Sequence, residues 1–292
     1  MNGAPSPART FVAGYARDRI ALAALWVLCA LLLAALAAPW ITPQDPYDLA
    51  QLDILDARLA PGAASATGYT YWLGSDGQGR DMFSAILYGL RISLGVGVLS
   101  TVVALGLGLL VGLISARAGG WLDALIMRIV DLQLSFPSIL VALVLLALAG
   151  QGVDRIIIAL IVVQWAYYAR TVRGAALSEL KREYVDAAVC AGYGNARILF
   201  RHVLPNVLPP LTVVATVQVA HAIALEATLS FLGLGMPITS PSLGLLIANG
   251  YAYLLAGHYW ISFFPGIALL VTIVAINLVG DQLRDVLNPR LK

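Results

Sequence analysis

The chain has 292 residues, 60% of them hydrophobic and only 12% charged. Soluble domains carry about 25% charged residues, so this composition excludes a soluble globular protein and points to one that lives in lipid. The net charge of +2 names no polyanionic partner, and Cys29 and Cys190 stand in no CxxC or Cys/His spacing that would hold a metal.

Met1 to Asp18 is polar and holds Pro5, Pro7, Arg9 and Arg17. Residues 1–19 are expected to be a short cytoplasmic tail. Ile20 to Ile41 is the first apolar run near the ~20 residues that cross a bilayer. It exceeds the roughly 7–15-residue core of a signal peptide, so an uncleaved anchor is the expectation. Residues 42–90 form an extracytoplasmic loop with Pro43, Pro46, Pro61 and several acids. Near its end stands Leu73-Gly74-Ser75-Asp76-Gly77-Gln78-Gly79-Arg80-Asp81. A dinucleotide fingerprint needs a third Gly where Met82 stands, and an EF-hand needs an acid or amide where Arg80 falls. The residues read as a Gly-rich turn capped by Asp76 and pinned by Arg80 and Asp81.

Leu94 to Ile114 is the second span, with a Gly108-x-x-x-Gly112 contact face. Ala124 to Ala149 is the third. Arg128 and Asp131 are spaced to pair on its helix, and Pro137 should kink it. Ile156 to Val172 is the fourth, ending in interfacial Tyr167 and Tyr168. Residues 173–206 are charged. Tyr184 to Ala191 reads as a short helix that Gly192 ends in a left-handed turn. Asn195 is placed to cap a second short helix, Ala196 to Val203, which Pro205 stops. Small residues at Ala187 and Ala188 keep this helix-turn-helix low enough for another protein's groove to approach its backbone.

Val207 to Leu229 is the fifth span, residues 230–260 a second extracytoplasmic segment, and Ile261 to Gly280 the sixth span. Gln218 and His221 share a face of the fifth span, and Glu226 is rotated away from it. Such residues line a water-filled path or hydrogen-bond between helices; the sequence leaves both readings open. Of the 18 Lys and Arg residues, only Arg58, Arg80, Arg91 and Arg155 lie on the side away from the termini. The positive-inside rule then places the termini and the 173–206 loop in the cytoplasm.

No P-loop is present: Lys181 and Lys292 are each preceded by Leu, where Gly-Lys is required. His202, His221 and His258 fall in separate segments and make no metal site. Energy for any transport must come from a partner or an ion gradient.

Asp186-Ala187-Ala188, then Gly192, then Leu204-Pro205 resemble the EAA loop of ABC importer permeases, with Asp186 in place of Glu. The Leu73–Asp81 stretch resembles the L-G-T-D-x-x-G-R-D signature of the C-type permease subunit of dipeptide, oligopeptide and nickel importers. Ser230-Phe231-Leu232-Gly233-Leu234-Gly235, then Pro241-Ser242-Leu243-Gly244, and the terminal Gly280-Asp281-Gln282-Leu283-Arg284-Asp285 with Asn288-Pro289-Arg290 are similar to the same subfamily. Leu243 and Asn288 depart from it. The resemblance implies an all-α, six-helix polytopic protein of the type I ABC importer permease fold over residues 20–292, in a bacterial inner membrane and contacting lipid. Asp186, Ala187, Ala188, Gly192, Leu204 and Pro205 would couple it to two cytoplasmic ATPase subunits. Those partners would bind ATP and Mg; this chain would hold no cofactor and catalyse nothing itself. A homologous second permease would complete the path, an extracytoplasmic substrate-binding protein would supply peptides or a similar solute, and no nucleic acid is involved. The alternative is a secondary transporter driven by an ion gradient, which would use Glu226 and His221 but leaves the loop unexplained.

Overall fold

The computed structural model describes residues 14–65, 68–240 and 242–287. Most of the expected tail and the Asn288-Pro289-Arg290 motif lie outside the described residues. Besides three short 3-10 turns at Leu49–Gln51, Ile54–Asp56 and Leu254–Ala256, the described helices are α1 (Arg19–Ile41), α2 (Met82–Ala118), α3 (Gly120–Ser135), α4 (Ser138–Ala149), α5 (Val153–Glu179), α6 (Glu183–Cys190), α7 (Asn195–Phe231), α8 (Leu243–Tyr251) and α9 (Trp260–Leu287). A two-residue antiparallel hairpin, β1 (Ala63–Ala64) and β2 (Thr70–Tyr71), lies in the first loop.

Helices α1, α2, α5, α7 and α9 are each long and apolar enough to cross a bilayer, and α3 with α4 makes a pair bent by 88°. Helices dominate because lipid offers backbone groups no hydrogen-bond partner. The third span is broken where a kink was expected. Pro137 lacks an N–H and forces Phe136 out of the helical region, to φ −92° and ψ 139°. The helix therefore stops at Ser135 and restarts in a new direction. The second span also differs, starting at Met82 instead of Leu94. Its N-cap is Asp81, whose carboxylate accepts from the Ser84 N–H at 2.8 Å and the Ser84 hydroxyl at 2.6 Å.

Helix α2 packs along α5, and the Gly-x-x-x-Gly face makes the crossing close. A Cβ on Gly108 would stand 2.4 Å from the Tyr168 Cβ, and one on Gly112 would stand 2.6 Å from the Ala169 carbonyl oxygen. Around this pair three apolar clusters form the interior. The first joins α2, α7, α8 and α9 through Leu90, Ile223, Leu246 and Ile261. The second joins α4, α5, α7 and α8 through Leu146, Leu160, Leu229 and Leu245. The third lies where α2, α5, α6 and α7 meet, around Leu113, Val172, Val185 and Val203. The segment 230–260 is thus more than a loop, because α8 is wedged into the core through Leu243 and Leu246, both fully buried.

The expected Arg128–Asp131 pair does not form; Asp131 pairs with Arg170 of α5 instead. At the start of α3, Asp123 takes both arms of Arg173, with N–O distances of 2.6 Å. These two pairs hold α3 against α5, a long-range choice that spacing along one helix does not reveal.

The α2–α5 crossing yields a paired prediction. Gly108→Ala should lower the melting temperature of the purified protein, because overpacking a tight contact costs about 1–3 kcal/mol. Gly106→Ala, where a Cβ meets nothing within 4 Å, should leave it unchanged or raise it. Equal melting of the two variants would contradict the crossing.

Candidate functional site

Helix α6 is eight residues long and stands between α5 and α7. Its C-terminus closes as a Schellman turn. The Tyr193 N–H reaches the Ala188 carbonyl at 3.1 Å, and the Gly192 N–H reaches the Val189 carbonyl at 2.9 Å. Gly192 adopts the expected left-handed conformation, with φ +77°, and a Cβ there would meet nothing within 4 Å. The glycine answers a backbone demand, not a shortage of space.

Asp186, Ala187 and Gly192 are exposed, whereas Ala188 is buried with Val185 beneath the helix. The low outer surface expected of both alanines therefore belongs to Ala187 alone; Ala188 is part of the packing that seats α6. Tyr193 stacks on His202, with ring centroids 5.8 Å apart and 17° between planes, and Arg197 lies 4.8 Å from the Tyr193 ring centre.

Two local expectations fail here. Asn195 does not cap the next helix. Gly194 occupies the cap position, and the Asn195 side chain accepts a hydrogen bond from Arg117. Nor does Pro205 stop that helix, since α7 runs on unbroken to Phe231. Residues Ile198–Val203 form a π-helical stretch, and the Leu204 N–H reaches back to the Leu199 carbonyl. Pro205 then falls in the first turn of the following α-helical stretch, where a missing N–H costs little. Leu204 is half-buried against the third cluster and Pro205 is exposed.

Between α5, α7 and α9 lies a groove of about 1020 Å³. Its floor is apolar, from Pro210, Val213, Val214 and Val217, and Gln218 faces into it. Glu179, Asn206, Asp281 and Arg284 also line it. His221 is exposed one turn along α7 from Gln218. Glu226 is elsewhere. It is fully buried, accepting from Ser93 of α2 at 2.9 Å and from Ser230 at 2.7 Å, with Ser242 as a third hydroxyl partner. Of the two readings left open for Glu226, its surroundings fit the hydrogen bond between helices: it ties α7 to α2 and to the start of α8. A helical wheel gave its rotation but not the neighbour that covers it.

The Gly-rich signature forms a buried brace. Asp76 accepts from the N–H groups of Gln78 and Arg80 at 2.7 and 3.0 Å, and Arg80 donates to the Ile238 carbonyl at 2.8 Å, beyond α7. Trp260 donates to the Ser75 carbonyl at 3.1 Å. Gly79, with φ +77°, could carry no side chain, because a Cβ would lie 2.0 Å from the Asp53 carbonyl oxygen. Burial pushes the Asp76 carboxyl up and the Arg80 guanidinium down from their usual ranges, and their mutual attraction offsets part of each shift. These residues fasten the first loop to the α7–α8 and α9 segments. Sequence reading left Glu179 and Asn206 out of the site; they come from two helices, and no spacing rule joins them. Asp281 and Arg284 were marked only as part of a terminal motif.

A family model described as a binding-protein-dependent transport system inner membrane component matches residues 104–292. A second, described as the N-terminal TM domain of oligopeptide transport permease C, matches residues 6–61. The chain is 38% identical over 289 residues to a di/tripeptide transport system permease protein, DppC, of Pseudomonas aeruginosa, covering 99% of this chain and 94% of that protein. It is 40% identical over 277 residues to a putative peptide permease protein of Brucella ovis, covering 94% and 89%. Among solved structures, an inward-facing MetNI methionine ABC transporter aligns with a TM-score of 0.58 at 22% identity, over 70% of this chain and 97% of that chain. A second crystal form of that transporter gives 0.56, also at 22%, over 69% and 96%.

The Glu226 cluster makes a stability prediction. Glu226→Leu strands buried hydroxyls, each costing about 1–3 kcal/mol, and should lower the melting temperature well below that of Glu226→Gln, which keeps an acceptor for them. Equal melting of the two would show that the hydroxyls do not depend on residue 226.

Proposed function

The chain belongs to the ABC importer permeases of the peptide transporter family, with the type I importer permease fold, and on that premise we propose that it couples one half of a solute path to ATP hydrolysis through α6. The observation that carries this reading is the exposed, Schellman-closed helix seated between two membrane-length helices. Asp186, Ala187 and Gly192 offer its contact surface. Ala188 and Leu204 hold that surface from below, and Pro205 begins the regular part of α7.

Two cytoplasmic ATPase subunits carry ATP and Mg, and this chain contributes no residue to hydrolysis. A homologous permease faces the groove and completes the path, and an extracytoplasmic binding protein delivers the solute. The names of the relatives support a peptide-class solute. Residues 1–19 form the tail, residues 42–90 and 230–260 the extracytoplasmic segments and residues 173–206 the coupling loop, with both termini in the cytoplasm of an inner membrane; the distribution of basic residues supports this orientation.

Closure of the ATPases moves α6. Because Val185 and Ala188 pack with α5 and α7, α6 does not move alone, and the groove between those helices and α9 changes shape. Gln218 supplies a polar contact on the α7 wall, and His221 continues that face one turn farther along the path. The gradient-driven alternative rested on Glu226 as much as on His221. A carboxyl group sealed among serines offers no route to a transported ion.

Three outcomes test this reading. Gly192→Ala should destabilise the turn by about 1 kcal/mol, while Gly192→Glu should leave the helices inserted, release ATPase subunits during purification and abolish uptake. ATPase retention at wild-type level with Gly192→Glu would remove α6 from the coupling role. Gln218→Leu should impair uptake in a complex that still assembles, and normal uptake would take Gln218 off the path. In a background free of Cys29 and Cys190, an impermeant thiol reagent should label Leu255→Cys in intact cells and spare Ser178→Cys. The reverse pattern would invert the topology.

A further inference from the structure

The outer edge of α6 carries a polar connection to the groove. The Tyr184 hydroxyl donates to Glu179 Oε2 at 2.8 Å and accepts from Asn206 Nδ2 at 3.2 Å. The second Asn206 Nδ2 hydrogen goes to the His202 carbonyl at 2.7 Å. The hydroxyl also lies 3.4 Å from the His202 carbonyl, a longer second acceptor for its one proton, and both amide hydrogens are used. Glu179 ends α5, Tyr184 begins α6, and Asn206 lies near the start of α7. Both partners of Tyr184 line the groove. His202, whose carbonyl anchors the set, also carries the Tyr193 ring from the far end of the α6 turn.

We infer that Tyr184 is the positioning residue through which displacement of α6 reaches the groove wall, an inference that rests on the docking role proposed for α6. The buried contacts of Val185 and Ala188 locate α6 but are non-directional, and neither residue lines the groove. The Tyr184 bonds are directional, and one is strengthened by the charge on Glu179. Moving Tyr184 drags a carboxylate and an amide at the groove mouth, on two different helices at once. Glu179 keeps a second, looser tie to the N-cap of α6 through Arg182 at 3.7 Å, but without the hydroxyl Asn206 loses its bond to Tyr184, and α6 can shift while Asn206 stays behind.

The test uses the complex assembled with its ATPases, permease partner and binding protein in lipid, free of Cys29 and Cys190, with Val213→Cys as a reporter in the groove. The maleimide reactivity of that cysteine is compared between the nucleotide-free and the ATP–vanadate-trapped states. The intact Tyr184 complex should show a clear difference between the states. Tyr184→Phe should reduce that difference by about tenfold, the factor that matches one hydrogen bond to a charged group, with ATPase retention unchanged and the melting temperature lowered by no more than the few degrees that one such bond accounts for. Asn206→Leu leaves the Tyr184–Glu179 bond in place and should reduce the difference less, and adding it to Tyr184→Phe should cost nothing further, because the phenyl ring has already lost both bonds. A full response in Tyr184→Phe overturns the inference, as does a loss accompanied by ATPase release or by a fall in melting temperature larger than one hydrogen bond explains. A Gly192→Glu complex separates this from failure of the docking role. If it loses the response while Tyr184→Phe keeps it, only the Tyr184 inference falls. If it keeps both ATPase and response, the docking role falls as well.

Discussion

With no side chain at Gly108 and Gly112, the backbones of α2 and α5 come close enough that an added Cβ at either would collide. The rest of the fold hangs on that contact. Helix α5 carries α3 through the Asp123–Arg173 and Asp131–Arg170 pairs, and α4 and α7 through the second apolar cluster. Its C-terminal end presents Glu179 to α6. Helix α2 meets α7 through Ile223, which leaves no room for a Cβ at Gly97, and through the Ser93–Glu226 hydrogen bond. The frame is therefore rigid where helices cross and open where α5, α7 and α9 diverge around the groove.

That division gives the function its physical basis. A helix buried on every side cannot answer a partner, and one exposed on every side transmits nothing. Helix α6 is buried on one face and bare on the other, and its ends are fastened by the Gly192 turn and the Tyr184 bonds. Away from α6, the Asp76–Arg80 brace ties the first loop to the segments around α8 and α9 across a long sequence separation.

Most of the span pattern was legible in the sequence, because the cost of burying backbone groups in lipid makes apolar length a strong signal. Gly192 was legible for a local reason: a left-handed residue is needed to end a short helix, and glycine takes that conformation without strain. What failed to read through was long-range or depended on context. Pro205 looked like a stop because its cost was judged for a regular helix, and the π-helical turn ahead of it removed that cost. Asp131 looked paired to Arg128 because spacing says nothing of Arg170 on another helix. Glu226 stayed ambiguous because polarity in a span is visible, while the serines that satisfy it, besides Ser230 on its own helix, come from α2 and the start of α8. Glu179 and Asn206 carried no signal, since only folding brings them to one hydroxyl group.

The central claim is that α6 is the surface on which the ATPase pulls. A photoreactive amino acid at Ala187, on the exposed face of that helix, tests it directly in intact membranes. The account predicts one light-dependent adduct joining this chain to an ATPase subunit. Adducts that form only with lipid, or an exposed Ala187 that captures no ATPase in the assembled complex, would contradict it.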